Sequence, residues 1–235
     1  MTTLKIIKDS KSLKKEILNF KKRTIGLVPT LGGLHKGHIE LIRLAKRKCD
    51  VVIVSIFLNP LQFNSSLDLK KYPNNFLADK KKIKKENIQI LYAPSIKEIF
   101  PNKKIKRIKA SKISRGLCGK YRKGHFDGVA TVIKSLFNQV SPKFAFFGLK
   151  DFQQILVIKD LIKKYKLQIK IVTMPTVRHS NGLAYSSRNS QLSDKQKKVA
   201  SFLFKTIKEI SFEAKKNFNN LNYLKKIGKK KLIKY

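Results

Sequence analysis

His35 and His38 stand three residues apart in the stretch VPTLGGLHKGH (28–38), where a glycine-rich turn gives way to the start of a helix. Gly32 and Gly33 let a backbone approach a ligand closely, and the first N–H groups of a helix present a positive dipole end to anions. Histidines placed there can donate to phosphoryl oxygens as charge builds during group transfer. They could instead bind a metal, although two histidines at i, i+3 with no third ligand nearby fall short of a usual zinc set. Two polar side chains of an ordinary loop are the third reading.

Such residues need a scaffold, and short apolar segments alternate with amphipathic ones along the chain. Residues 24–28, 51–57, 88–92, 144–147 and 169–173 are β-branched or aromatic and read as strands. A short basic helix precedes the first of them, and helical patterns follow at about 38–48, 76–86, 127–139 and 151–165. In the last of these Ile155, Ile158, Leu161 and Ile162 recur on one face. The alternation predicts βαβ units: an α/β fold with a parallel sheet flanked by helices. Ligands of such sheets bind outside the carboxyl ends of the strands, which is where Lys150 follows strand 144–147. After Asn189 two lysine-rich helical stretches, about 194–216 and 221–234, carry the chain to its end. We expect a first domain over 1–175 and a mainly helical region over 176–235.

Composition limits the function classes. The chain has 235 residues and 42% apolar residues, enough for a real core. The longest apolar run, VVIVSIFL at 51–58, is far short of the ~20 residues a spanning helix needs. MTTLKIIKDSKSLKKE shows no secretion signal, and Cys49 and Cys118 are too few for a disulfide framework, so a cytoplasmic protein away from the membrane is expected. The net charge of +40 raises a nucleic-acid-binding alternative. Lysine outnumbers arginine 46 to 8 and is spread along the chain. Specific recognition prefers arginine's bidentate contacts gathered on one face, so no specific nucleic-acid partner is expected.

HKGH at 35–38 resembles the HxGH motif of the nucleotidyltransferase and class I tRNA-synthetase superfamily, and PTLGGLHKGH resembles the pantothenate synthetase family. SIFLNPLQF (55–63), GKYRKGHFDGVATVIKSLFNQVSP (119–142), FFGLKDFQQ (146–154) and GLAYSSRN (182–189) are similar to four further motifs of that family, in its order. The resemblance implies a Rossmann-like sheet and an ATP- and Mg²⁺-dependent ligase that joins pantoate to β-alanine through a pantoyl adenylate, releasing pyrophosphate and AMP. It also implies a homodimer. A different nucleotidyltransferase, moving AMP onto a phosphate ester, is the rival enzyme reading. NPLQF, FQQ and GHFDGV argue against it. An inactive relative that keeps the fold is a further alternative.

By the same resemblance His38, His35, Lys150 and Arg188 are the catalytic candidates. ATP would meet Leu31, Gly32, Gly33, Leu34, His35, Lys36, Gly37 and His38 on the first loop, then Gly148, Leu149, Lys150 and Asp151. Val177, Tyr185, Ser186, Ser187 and Arg188 complete that set, with two hydroxyls and a guanidinium suited to clamping a triphosphate. Gln62 and Gln154 would bind pantoate, and Gln62 also β-alanine; neutral amides offer both donors and an acceptor to hydroxyl and carboxylate groups. Asp151 could accept a hydrogen bond from the nucleotide or help hold Mg²⁺, but no protein ligand set for a metal is defined.

The departures from the family pattern are Leu31 for a common methionine, Lys123 for proline, Leu149 for a frequent glutamate, Asn181 for aspartate and Tyr185 for a smaller side chain. Only 46 residues follow Asn189. The expectation is therefore a shortened C-terminal lid whose closure over the site is weakened.

Overall fold

The computed structural model describes residues 3–101, 105–216 and 220–233. The chain divides into two compact units, Met1–Pro175 and Thr176–Tyr235.

The first unit is built on six strands: β1 (Lys5–Ile7), β2 (Ile25–Thr30), β3 (Val51–Ile56), β4 (Ile90–Tyr92), β5 (Phe144–Gly148) and β6 (Lys170–Met174). They form one all-parallel sheet in the order β1-β4-β3-β2-β5-β6. Its helices are α1 (Ser10–Leu18), α2 (Lys36–Lys48), α3 (Ser66–Lys71), α4 (Phe76–Lys85), α5 (Ile96–Ile99), α6 (Cys118–Tyr121), α7 (His125–Val140) and α8 (Phe152–Lys164). The second unit holds α9 (Asp194–Lys216) and α10 (Leu221–Leu232). The five expected strands are present within a few residues, and the mainly helical C-terminal part is as expected. The sequence reading missed β1, whose three residues KII pair along the sheet edge and are too few to show a period.

Burial on both faces explains why the central strands read as unbroken apolar runs. All six residues of β3, VVIVSI, are buried. Val51 and Ile53 face a core with Leu27, Ile90 and the apolar sides of α7 and α8, while Val52 and Val54 face one with Val28, Leu91 and α2. α7 buries eleven of its sixteen residues, among them Phe126, Val129, Ile133 and Phe137. Each such side chain contributes about 1.5–3 kcal/mol over leaving it in water.

Strand order reverses between β2 and β5, and the two strands part early. Their paired residues are Gly26 with Phe144 and Leu27 with Ala145. The Ile25 carbonyl accepts from the Lys143 N–H on the β5 side, whereas the Thr30 carbonyl accepts from the Phe57 N–H on the β3 side. By alternation Pro29 turns its nitrogen, which carries no proton, toward β5. A proline at that position cannot extend the β2–β5 ladder. The sheet therefore opens a crevice at the carboxyl ends of β2 and β5, the place where doubly wound sheets bind ligands.

Candidate active site

The loop leaving β2 carries the two histidines into that crevice. Gly32 and Gly33 take positive φ angles of 86° and 63°, a backbone path that side chains disfavour. Its amides are committed internally. Gly32 N–H donates to Thr30 Oγ1 at 3.2 Å, Gly33 N–H to Asp79 Oδ2 and Leu34 N–H to Asp79 Oδ1, each at 2.8 Å. The glycine turn is thus shaped like an anion nest but holds a carboxylate of the protein itself. What Gly32, Gly33 and Leu34 offer a ligand is shape, while donors must come from the residues beyond them.

His35 caps α2 in extended conformation, and its N–H donates to His38 Nδ1 at 3.3 Å. His38 stands in the place a glutamate takes in an ordinary capping box. Because Nδ1 accepts, the neutral ring carries its proton on Nε2, leaving an N–H to donate elsewhere. The two rings stack with centroids 4.0 Å apart. Burial, then the positive charges of Lys150 and Lys82, pushes the His35 pKa down to about 4. His38 is held well below the usual histidine range, first by burial and then by His35, Lys150 and Lys82. Both rings are accordingly neutral donors at pH 7, and the fixed positive charge of the site resides on the lysines. Lys36 and Gly37 form the first turn of α2, whose N–H groups point away from the helix body.

Lys150 lies across the crevice on the 3₁₀ turn Leu149–Asp151, which follows β5 directly after Gly148. Its charge reaches both histidines, so the structure joins HKGH and GLKD, 112 residues apart from His38 to Lys150, into one site. Asp151 is exposed at the start of α8. Among the described residues no three His, Cys, Asp or Glu side chains gather to hold a metal. Asp79, the buried carboxylate beside the loop, already accepts two N–H bonds. These residues do not fit a resident metal centre.

The neighbouring strand β3 delivers Gln62. The side chain of Asn59, fully buried, donates to Gln62 Oε1 at 2.9 Å and to the Gly128 carbonyl at 3.1 Å. With Oε1 engaged, the amide NH₂ of Gln62 is the group left to meet a substrate. His125 Nδ1 lies 2.7 Å from the Gln62 carbonyl and its Nε2 3.1 Å from Arg122 Nη1, while Arg122 Nη2 donates to the same carbonyl at 3.3 Å. The GHFDG segment is therefore the support of the NPLQF loop. The two glutamines of FQQ divide their work. Gln153 accepts from Cys118 N–H and donates to the carbonyls of Ile113 and Gly116, tying down the segment before α6. Gln154 follows it, half-buried on α8.

The remaining candidates lie together in the second unit. A hairpin turn pairs Arg178 with Ala184, Tyr185 N–H donates to the Val177 carbonyl at 3.0 Å, and the Tyr185 ring stacks on His179 at 3.8 Å. Ser186 then caps a 3₁₀ turn, its Oγ accepting from Arg188 N–H at 3.3 Å. Val177, Tyr185, Ser186, Ser187 and Arg188 thus share one short hairpin-and-turn element.

Sequence reading missed Asp79 and Lys82. Lys82 Nζ donates to the Leu34 carbonyl at 2.5 Å, from one turn after Asp79 on α4. The signal was available: Phe76, Asp79 and Ile83 fall at i, i+3 and i+7, placing an acid on the apolar stripe of a helix in a chain with only 14 acidic residues.

An all-parallel, doubly wound sheet with paired neutral histidines and lysine charge at its switch point defines an α/β protein equipped to handle polyanionic ligands. Comparison with known proteins narrows this. The family model "Pantoate-beta-alanine ligase" matches residues 5–234. A pantothenate synthetase of Buchnera aphidicola subsp. Schizaphis graminum is 48% identical over 237 residues, covering 98% of this chain and 83% of that protein. The crystal structure of pantothenate synthetase from Thermus thermophilus superimposes with a TM-score of 0.89 at 32% identity, covering 97% of this chain and 82% of that one. That of pantoate-beta-alanine ligase from Francisella tularensis, complexed with beta-gamma ATP and beta-alanine, gives 0.85 at 37% identity over 97% and 86%. The chain belongs to the pantoate–β-alanine ligase family.

Proposed function

We propose that this protein condenses pantoate with β-alanine to pantothenate at the expense of ATP, by way of pantoyl adenylate. The observation that carries the reading is the meeting of His35, His38 and Lys150 at the crevice between β2 and β5. In the first step a pantoate carboxylate oxygen attacks the α-phosphorus of ATP, the bond to the β-phosphate oxygen breaks, and pyrophosphate leaves. Negative charge then grows on the α-phosphoryl oxygens and on pyrophosphate. Neutral N–H donors and lysine ammonium groups suit that charge without trapping a proton. We assign His38 Nε2–H and His35 to the phosphates. Lys150 is a mobile point charge that can follow them.

Gln62 would hold pantoate through the NH₂ that Asn59 leaves outward, with Gln154 as its second amide. In the second step the β-alanine amine attacks the acyl carbon, loses a proton and expels AMP, with Gln62 positioning the amine. Ser186, Ser187 and Arg188 are proposed as the triphosphate clamp, with Val177 and Tyr185 beside the adenine. The loop residues Leu31–Leu34, with Lys36, Gly37, Gly148, Leu149 and Asp151, are proposed as the ATP contacts of the first unit. Magnesium enters as part of the MgATP substrate. A cytoplasmic homodimer is the proposed working form. No described helix is long and apolar enough to cross a membrane.

Purified protein given MgATP and pantoate is expected to exchange labelled pyrophosphate into ATP without β-alanine. Adding β-alanine is expected to yield AMP and pantothenate one to one. ATP turnover that ignores pantoate would refute the reading.

A further inference from the structure

We propose that Asp79, with Lys82 one turn later on α4, is the positioning residue of the histidine loop: its carboxylate fills the nest of the glycine turn and thereby fixes where His35 and His38 stand. Asp79 is 1% exposed, and each of its oxygens takes one loop N–H at 2.8 Å. The fit is close, since a Cβ on Gly32 would come within 3.3 Å of Asp79 Oδ2 and of Ile56 Cγ2. Leu34, the residue before His35, is held three ways. Its N–H goes to Asp79, its carbonyl receives Lys82, and its side chain is 2% exposed in the core beside Ile83. A buried carboxylate taking two amide donors makes strong, directional bonds.

The consequence concerns how phosphate is recognised. A nest that already contains a carboxylate cannot also cradle a phosphate, so recognition passes from backbone amides to the side chains of His35, His38 and Lys150. Lys82 reaches the same loop from the next turn of α4, through the Leu34 carbonyl. Its own charge is felt at both histidines, which places it within reach of the same polyanion. Helix α4 therefore acts on the reaction through the loop, and a displacement of about 1 Å in such a loop is enough to cost about 100-fold in rate. The kinetic arm of this inference rests on the proposed function, whereas its geometric arm does not.

Asp79→Asn keeps the shape but turns one acceptor into an NH₂ facing an N–H donor. The chain has four histidines, and His125 beside Gln62 and His179 in the second unit serve as internal references. In heteronuclear NMR of ring signals at pH 7.5, D79N is expected to move His35 and His38 and leave His125 and His179 in place. Pantoate-dependent pyrophosphate exchange is expected to fall about 10- to 100-fold in kcat, with the KM for pantoate within about two-fold of the parent. A folded D79N with unmoved His35 and His38 signals overturns the inference, as does a loss confined to pantoate KM. Should D79N fail to fold, Lys82→Gln at an exposed position gives the same readout, and unmoved signals there overturn it. Moved signals in D79N, where the parent protein itself shows no pantoate-dependent exchange, would leave the inference standing and refute the proposed function.

Discussion

The ring of His35 lies over that of His38 at 4.0 Å between centroids, with 27° between their planes. Two imidazolium ions could not share that geometry without strong repulsion. Burial and the lysines on either side remove the problem by keeping both rings neutral. The pair thus supplies directed donors, and Lys150 and Lys82 supply charge.

This arrangement makes stability depend on pH. A histidine whose folded pKa is depressed lets the unfolded chain bind a proton that the native one refuses. Its contribution is fully present above about 6.5 and is lost as pH falls toward the folded value, about 4 for His35. The urea midpoint is expected to fall between pH 7.5 and pH 5, and His35→Asn should flatten that slope. An unchanged slope in H35N would place its origin elsewhere.

Removing Lys150 should act on the histidines as well as on the reaction. With its positive charge gone, the His35 pKa is expected to rise from about 4 toward the ordinary value, read by NMR titration of Lys150→Gln. Loss of the charge proposed to meet the developing phosphoryl anion should lower kcat for pyrophosphate exchange by about 10²–10³. A K150Q protein that keeps both the His35 pKa and the rate would remove Lys150 from the site.

Gly128 is the point where α7 meets the NPLQF loop. A Cβ there would sit 2.3 Å from the Leu61 carbonyl oxygen and 2.8 Å from the Gln62 nitrogen, so Gly128→Ala must push the loop away. Overpacking of this kind costs about 1–3 kcal/mol, against the gain alanine normally brings to a helix. We expect a lower melting temperature and a raised KM for pantoate. Gly116→Ala, with nothing within 4 Å of its Cβ and an ordinary φ of −91°, should stay within about 0.5 kcal/mol of the parent. Equal behaviour of the two variants would sink the argument.

Much of this molecule was legible residue by residue. The run VVIVSIF, buried on both faces, reads as an interior parallel strand because neither face meets water. Lys150 could be placed at a strand's carboxyl end because helix and strand periods mark where β5 stops. Three residues of KII could not announce β1, since an edge strand of that length shows no period. Asp79 escaped because its role depends on Gly33, 46 residues earlier, and a single acid on an apolar stripe does not name its partner.

The sequence by itself determined the alternation of elements, the direction in which each buries its apolar side, and the identity of the donor groups, because these follow from local periodicity and side-chain chemistry. Tertiary structure alone decided that β2 and β5 lie side by side and part at Pro29, and that α4 holds the histidine loop; it brings HKGH and GLKD, which the family resemblance already assigned to one ATP, to one crevice. Such juxtapositions rest on pairings between distant segments, and no local pattern encodes them. Only the packed sheet brings Lys150 within electrostatic reach of His35 and His38, and Asp79 within hydrogen-bonding reach of the loop before them.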